Sequence, residues 1–145
     1  MSLFTALSVS ATGLTAQRQR AELLVENLAN SETTRTAEGG PYRRKDAVFS
    51  TSSVDTPFQS VYAAELGNQS SGVEVSEIIV DSRDPVRRYL PGHPDADKDG
   101  YVQLPNVNPA EDMVDLMSAS RNYQANVTAM SAVKDMIHRS IDLLR

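Results

Sequence analysis

The stretch "HPDADKDGYV" (93–102) carries the residues of the chain that are best suited to chemistry. Asp95, Asp97 and Asp99 stand at alternate positions and are followed by Gly100, which is the pattern that opens an EF-hand calcium loop. Carboxylates at these positions would offer oxygen ligands to a hard cation, and the glycine would allow the sharp turn. The pattern therefore raises the hypothesis of a calcium-dependent binding module centred on these aspartates.

The rest of the loop argues against an EF-hand. Asn106 stands at the twelfth position, where a bidentate glutamate should complete the shell. Pro91, Pro94 and Pro105 lie where the flanking helices would have to begin or end. Aspartate and glycine are equally at home in a turn whose side chains bond the backbone. We therefore favour the turn, predict no metal site, and keep the three aspartates as weak metal candidates.

Catalytic patterns are missing from the sequence. His93 and His138 are its two histidines, one in a proline-rich turn and the other near the C-terminal end, and there is no cysteine. The chain has no HExxH, GxSxG, Walker or GxGxxG pattern. We therefore predict a protein that is not an enzyme and that needs no cofactor.

Charge and hydropathy exclude two further classes of partner. The 145 residues include 14 basic and 19 acidic side chains, for a formal net charge of −5. This balance is not that of a protein that binds nucleic acid or an anionic membrane. No apolar run reaches the roughly 18 residues of a membrane span, and the first basic residue is Arg18. We therefore expect no nucleic acid, no direct membrane insertion and no cleaved signal peptide.

The first thirty residues carry an apolar pattern that predicts one long helix packed along its length against another. Gly13 is the helix-unfriendly residue inside it, at a cost of about 1 kcal/mol relative to alanine. Close approach of a neighbouring backbone is one reason to keep a glycine there. The polar run 30–41 then ends the helix. The predicted seam consists of Phe4, Leu7, Ala11, Leu14, Arg18, Ala21, Val25 and Leu28.

A second long helix is predicted at the C-terminal end. Asn108 is a good N-cap, Pro109 suits the first helical position and Glu111 follows three residues after the cap. Three-four spacing then continues almost to the last residue, which predicts a helix of about 35 residues and roughly 50 Å. Its predicted seam consists of Met113, Leu116, Ser120, Tyr123, Val127, Met130, Lys134, Ile137, Ile141 and Leu144.

Between the helices the apolar period shortens to two, which is typical of strands. Residues 72–80 alternate well, with one slip that indicates a bulge, and weaker strand candidates are 42–50 and 57–66. We predict an α+β fold in which the two terminal helices pair as an antiparallel, coiled-coil-like hairpin around a small β-rich insert. Residues 1–32 and 108–145 would form a discontinuous helical assembly domain, and residues 33–107 the insert with its connecting loops.

One seam is thin support for helices of this length. Ordering a helix costs about 1 to 2 kcal/mol per residue, whereas each seam side chain returns at most about 1.5 to 3 kcal/mol. A second apolar row, formed by Val9, Ala16 and Leu23, would stay exposed in a simple hairpin, and exposed rows usually mark partners. The pattern favours an assembling subunit and leaves a monomeric helical-hairpin adaptor as an alternative.

Specific motifs add a family resemblance that covers almost the whole chain. "SATGLTAQR" (10–18) and "ENLAN" (26–30) resemble the N-terminal motifs of the bacterial flagellar axial proteins, the rod, hook and filament-adaptor subunits. Glu26 replaces the usual first asparagine of the second motif, and "SETT" replaces the usual "NT". "GGPYRRK" (39–45) and the long run 89–130 are most similar to the proximal rod members of the family.

The resemblance implies a structural subunit of the basal-body rod, the periplasmic drive shaft that transmits torque from motor to hook and encloses the export channel. Its partners would be other rod proteins, copies of itself, and membrane-ring and export-apparatus proteins at the rod base. Export would need no cleaved signal peptide. The expected helical core and subunit interface comprises Leu7, Leu14, Val25, Leu28, Leu116, Tyr123, Val127, Met130, Ile137 and Ile141. The helix-end and family-motif residues are Gly13, Asn27, Asn30, Asn108 and Pro109.

Overall fold

A computed structural model describes residues 3–53 and 71–143 as two long helices that flank two small antiparallel sheets. This confirms the α+β class and the order helix, β-rich region, helix. The strand predicted at 57–66 lies outside the described residues. The elements are α1 (Leu3–Ala29), β1 (Lys45–Ser53), β2 (Ser71–Val80), β3 (Val86–Tyr89), β4 (Tyr101–Leu104) and α2 (Pro109–Asp142).

Helix α2 begins, and helix α1 ends, where the sequence predicts. At the start of α2 the Asn108 side chain accepts a hydrogen bond from the Ala110 N–H at 3.2 Å, and Pro109 takes the first helical position. Asn108 is therefore confirmed as the N-cap. At the end of α1 the side-chain amide of Asn30 donates to the Glu26 carbonyl at 2.9 Å, which satisfies one of the last helix carbonyls.

Helices α1 and α2 run antiparallel along each other. Arg20 pairs with Asp115 at 3.3 Å, whereas Gly13, earlier on α1, lies against Asn126, later on α2. A Cβ added at Gly13 would lie 3.0 Å from the Asn126 Nδ2 atom. The close neighbour is therefore a side chain and not the backbone that the sequence suggested. The coiled-coil-like character of the pairing stays a prediction. Within the described residues, neither helix is long and apolar enough to cross a membrane.

The row of α2 that faces inward is shifted by one position along the chain from one of the two rows of the predicted seam. Asp112, Ala119 and Val133 are buried at multiples of seven, and the half-buried Asn126 completes their row. The apolar pattern had instead favoured the neighbouring row that includes Val127. Two members of the true row are polar, so a search for apolar residues passes over it. Their burial is possible because Asp112 lies beside a cation and Asn126 lies against a glycine.

The larger sheet packs on α1 and contains the predicted bulge. Strands β1 and β2 are antiparallel, and Val48 pairs with Glu77 whereas Phe49 pairs with Val75, which leaves Ser76 as the extra residue. The Ser76 hydroxyl donates to the Val48 carbonyl at 3.2 Å and so holds the bulge. The slip in the apolar alternation of residues 72–80 is therefore confirmed as a break in the strand register.

Candidate assembly surfaces and the junction that orients them

A buried asparagine joins the end of α1 to the start of β1. Asn27 is 0% exposed, and its Oδ1 atom accepts hydrogen bonds from the Lys45 N–H and the Tyr42 hydroxyl, both at 2.9 Å. Its Nδ2 atom donates to the Lys45 carbonyl at 2.9 Å. The amide thereby pairs with both backbone groups of one residue, as a neighbouring strand would. Asn27 is thus a structural anchor of the helix on the sheet.

The residue before Lys45 makes the matching connection to α2. The guanidinium of Arg44 lies 3.3 Å from a carboxylate oxygen of Asp112 and 3.2 Å from one of Asp46. The Asp112 side chain is 0% exposed, and neither of its oxygens has a hydrogen-bond donor in the described part of the chain. Burial raises the pKa of Asp112, while the charge of Arg44 opposes that rise. Arg44 therefore supplies the compensating charge for a desolvated carboxylate.

Around this junction the aromatic and charged groups reinforce one another. Lys45 pairs with Glu26 at 2.6 Å, and its ammonium nitrogen lies 5.8 Å from the centre of the Tyr42 ring. The pKa of Tyr42 is raised to about 12, mainly by burial and to a smaller extent by the negative charge of Glu26. The tyrosine hydroxyl therefore keeps its proton and remains a donor to Asn27 across the neutral range.

We call Asn27, Tyr42, Arg44, Lys45 and Asp112 the junction. Sequence reasoning named Asn27 as a motif residue and missed the other four as site residues. A signal for them was present in "PYRRK" (41–45), where adjacent charges stand at the start of a predicted strand. A charge run at a strand start more often marks a solvated surface, so the sequence alone did not separate Arg44 from its exposed neighbour Arg43.

The aspartate stretch forms the turn of a hairpin between β3 and β4, which the sequence did not predict as strands. Asp97 Oδ1 accepts from the N–H groups of Asp99 and Tyr101, each at 3.0 Å. The pKa of Asp97 is lowered mainly by the hydrogen bond from the Tyr101 N–H. Other donors contribute to the same shift, among them the Arg87 side chain at 3.1 Å. The expected turn with side chain to backbone bonds is therefore present.

The carboxylates of that turn do not converge on a common point. Asp95 accepts from the Thr34 hydroxyl at 2.7 Å, whereas Asp97 is engaged by its own turn and by Arg87. Among the residues that the structure describes, no three His, Cys, Asp or Glu side chains group as metal ligands. The geometry therefore gives the calcium-dependent module no support.

We predict that Gly100→Ala destabilises the protein by about 2 to 3 kcal/mol, as a fall in the free energy of unfolding in urea. Gly100 has φ +79°, and an added Cβ would lie 2.9 Å from the Tyr89 ring and 3.2 Å from the Pro91 Cβ. Gly92→Ala is the matched control, since its Cβ would meet nothing within 4 Å. The control should change stability by less than about 1 kcal/mol. Equal effects of the two variants would contradict the prediction.

The ten predicted core and interface residues divide into two groups. Leu7, Leu14, Leu28, Leu116, Met130 and Ile137 are half-buried in the single chain. Four are exposed: Val25 by 50%, Tyr123 and Val127 by 42% each, and Ile141 by 55%. These four are too exposed to form the core of the single chain. Their role in a subunit interface stays a prediction.

Four of the predicted residues meet in one groove. Leu7 near the start of α1 and Val127, Met130 and Ile137 on α2 line a shallow, mostly apolar groove of about 380 Å³, which Ser131 and Lys134 complete. We call this the apolar groove. Its open side faces solvent in the single chain, so it can receive apolar side chains from another subunit.

Further exposed apolar side chains lie outside the ten predicted core and interface residues. Met113, Val114 and Met117, at the start of α2, are 52%, 59% and 54% exposed. On β2, the consecutive residues Ile78 and Ile79 are 51% and 50% exposed. Exposed apolar groups of this kind usually mark contacts with other proteins.

The chain is similar over nearly its whole length to rod proteins of the bacterial flagellum. The family model for the flagellar basal body rod FlgEFG protein C-terminal region matches residues 98–143. The flagellar basal-body rod protein FlgC of Bacillus subtilis (strain 168) is 45% identical over an alignment of 150 positions, which covers 99% of each chain. That of Borreliella burgdorferi is 40% identical, covering 100% of this chain and 99% of the relative. That of Escherichia coli O6:H1 is 37% identical, covering 99% and 98%. The chain belongs to the FlgC family of flagellar basal-body rod proteins.

Proposed function

We propose that the chain is a structural subunit of the flagellar basal-body rod, which assembles helically with other rod proteins into the drive shaft between motor and hook. The observation that carries this proposal is similarity to FlgC proteins over 99% of the chain. Because the whole length is matched, the proposal applies to both helices and to the region between them. The rod would transmit torque and enclose the export channel.

The exposed apolar surface of α2 supports assembly as the working state. A single chain leaves many large apolar side chains of this helix in water, which is unfavourable at about 25 cal/mol for each Å² of apolar surface. Contact with further subunits would cover them. The side chains concerned are Met113, Val114, Met117, Tyr123, Val127, Met136 and Ile141. A monomeric helical-hairpin adaptor gives no account of this surface, and the relatives are rod proteins.

The two parts of the subunit would have different roles, and the junction would hold them in a fixed relation. We propose that residues 1–32 and 108–145 form the assembly domain, with α1 and α2 in the wall of the tube, and that residues 33–107 lie outside it. Neighbours would be copies of this chain and other rod proteins, with membrane-ring and export-apparatus proteins at the base. The site of action would be the periplasmic rod, which the chain reaches through the flagellar export apparatus without cleavage of a signal peptide.

Complementation tests the proposed function. The chain is introduced into a Bacillus subtilis strain that lacks its own FlgC, and swimming motility is measured in soft agar. We expect the chain to restore motility. Met130→Asp and Leu14→Asp should abolish it, because each would place a charge among the half-buried helix residues that are proposed to pack in the rod.

Gln124→Asp is the matched control for the two charge variants, since Gln124 is exposed on the same helix as Met130. Immunoblots confirm that all variants accumulate to equal levels. Motile cells carrying Met130→Asp or Leu14→Asp would count against the proposed assembly domain. Failure of the unsubstituted chain to enter basal bodies isolated from these cells would count against the function itself.

A further inference from the structure

The apolar groove has walls from both helices. Leu7 is the residue that α1 contributes, and the residues between 127 and 137 that line the groove belong to α2. The groove therefore exists only while the first half of α1 and the second half of α2 lie close together in one register. The junction acts at the other end of the helix pair, since Asn27 stands twenty residues, or roughly 30 Å, after Leu7 along α1. A further contact must hold the half of the subunit that is remote from the junction.

Apolar contacts alone do not define the register in that half. Leu7 and Leu14 stand seven residues apart, on one face of α1. A slip of seven residues, roughly 10 Å along the helix axis, would bring Leu14 to the place of Leu7 beside Met130 and Ile137. Leucine would replace leucine, so the apolar contacts would be much the same after the slip. A contact that distinguishes the two registers has to be of another kind.

Gly13 and Asn126 make such a contact. A Cβ added at Gly13 would lie 3.0 Å from the Nδ2 atom of Asn126 and 3.5 Å from its Cγ and Oδ1 atoms. The whole amide group of Asn126 therefore faces the glycine and occupies the space that a side chain at position 13 would need. Glycine is the one residue type without a Cβ, so it leaves this space free. The contact fits a large polar side chain to the absence of one.

The contact agrees in register with the junction. Asn27 stands fourteen residues after Gly13 on α1, and Asp112 stands fourteen residues before Asn126 on α2. In an antiparallel pair, equal steps in opposite directions keep residues opposite each other. Asn27 and Asp112 do meet, because both contact the Arg44–Lys45 dipeptide. Two specific contacts, one at each end of a stretch of fourteen residues, thus select the same register.

Midway between these two contacts, a large side chain again meets a small one. The same steps bring Arg20 opposite Ala119, which is 1% exposed, and the Arg20 guanidinium reaches Asp115 one turn away at 3.3 Å. A slip of seven residues would bring Arg20 opposite Asn126 in one direction, or Gly13 opposite Ala119 in the other. The first slip crowds two long side chains and the second leaves a gap, and both are destabilising.

We propose that Gly13 and Asn126 are a positioning pair, which sets the spacing and register of the helices in the half remote from the junction and so forms the apolar groove. A single polar residue in a helix seam can specify register at some cost in stability. The inference rests on the proposed function, because the groove matters as a surface on which subunits assemble.

Spin labels measure the helix spacing, and the chain has no cysteine of its own that would interfere. Ala11→Cys and Ala129→Cys place labels at exposed positions of α1 and α2 in the remote half. Electron paramagnetic resonance then gives the distance between them. Gly13→Asn puts a second amide where one fits, so the mean distance should lengthen by about 2 Å, as interaxial distances follow the side chains at the contact. An unchanged distance would overturn the proposal.

Exchange of the two residues tests the pair itself. Gly13→Asn combined with Asn126→Gly again sets one asparagine opposite one glycine, so the distance should return to that of the unsubstituted pair. A displacement that persists in this variant would contradict a positioning role. Thr15→Asn and Asn122→Gly are the matched controls, since both positions are exposed on the same helices. Neither control should change the distance, and circular dichroism confirms that every variant keeps its helices.

Motility separates this inference from the proposed function. Bacillus subtilis cells that lack their own FlgC receive the chains without label sites, at levels matched by immunoblot. We expect the unsubstituted and exchanged chains to restore swimming and Gly13→Asn to abolish it. Swimming cells with Gly13→Asn would overturn the link between the pair and assembly. Failure of the unsubstituted chain to restore swimming would count against the proposed function, whereas the distances in the purified chain would still decide the positioning role.

Discussion

Asn27→Leu is expected to lower the free energy of unfolding by about 3 to 5 kcal/mol, since each buried group that loses its partner costs about 1 to 3 kcal/mol. The substitution removes three hydrogen bonds and leaves the Lys45 N–H, the Lys45 carbonyl and the Tyr42 hydroxyl without partners. The melting temperature, measured by circular dichroism at 222 nm, should fall by about 10 °C.

Asn122→Leu is the matched control for this loss. Asn122 is exposed on α2, so the same chemical change there should alter the free energy of unfolding by less than about 0.5 kcal/mol. Asn27→Asp tests the role of the Nδ2 donor, because aspartate keeps the acceptor oxygen and loses the bond to the Lys45 carbonyl. A melting temperature of Asn27→Leu close to that of Asn122→Leu would show that the junction does not anchor α1.

Arg44→Met is the second large perturbation, with an expected loss of about 3 to 5 kcal/mol at neutral pH. The substitution keeps the length of the side chain but leaves the buried Asp112 carboxylate without its nearby cation. A desolvated charge that loses its partner is costly, because water cannot reach it to compensate. The measurement is urea unfolding followed by circular dichroism.

The loss should depend on pH with a definite sign. Burial raises the pKa of Asp112 above its ordinary value, so the folded state binds the proton more tightly than the unfolded state does. The stabilisation from that proton is complete below the unfolded pKa of about 3.9 and disappears as the pH rises through the raised folded pKa. Removing Arg44 raises that pKa further. The deficit of Arg44→Met should therefore shrink as the pH is lowered from neutral toward about pH 4.

Two comparison variants isolate the ion pair. Arg43→Met changes the exposed neighbouring arginine and should alter the free energy of unfolding by less than about 0.5 kcal/mol. Arg44→Met combined with Asp112→Leu removes both charges, and we expect it to recover most of the lost stability. A deficit that is constant between neutral and acid pH would contradict the assignment of the loss to Asp112.

The long helices and their ends were predictable because local chemistry determines them. The sequence around Asn108 and Pro109 specifies a helix start without help from the rest of the chain, and the structure places the cap there. The strand with its bulge was predictable for the same reason, since the break at Ser76 shows directly in the apolar alternation. The antiparallel direction of the helices also followed from their order in the chain, since two terminal helices that flank an insert can pair only if the chain doubles back.

The inward face of α2 was less predictable because burial there depends on distant residues. Asp112 is buried because Arg44 lies beside it, and Asn126 is half-buried because Gly13 makes room for its amide. Apolar periodicity cannot report either arrangement, since both partners are remote in sequence. The junction was missed for the same reason: its hydrogen bonds join residues 15 to 18 positions apart.

The hairpin of β3 and β4 was missed because its strands are only four residues long and carry charge. Arg87 and Arg88 interrupt the apolar alternation by which a strand is recognised. The pair is held instead by contacts of its turn and by the Tyr89 and Tyr101 rings, whose centres are 5.4 Å apart. Such cross-strand contacts become visible only after the register is known.

The junction also links the helix pair mechanically to the sheet. Two adjacent residues, Arg44 and Lys45, connect the sheet to both helices, one through Asp112 on α2 and the other through Asn27 on α1. The helix pair and the sheet therefore cannot twist against each other without breaking an ion pair and a set of hydrogen bonds together. The torsional stiffness of the subunit should therefore depend on this dipeptide as well as on the packing of β1 and β2 against α1.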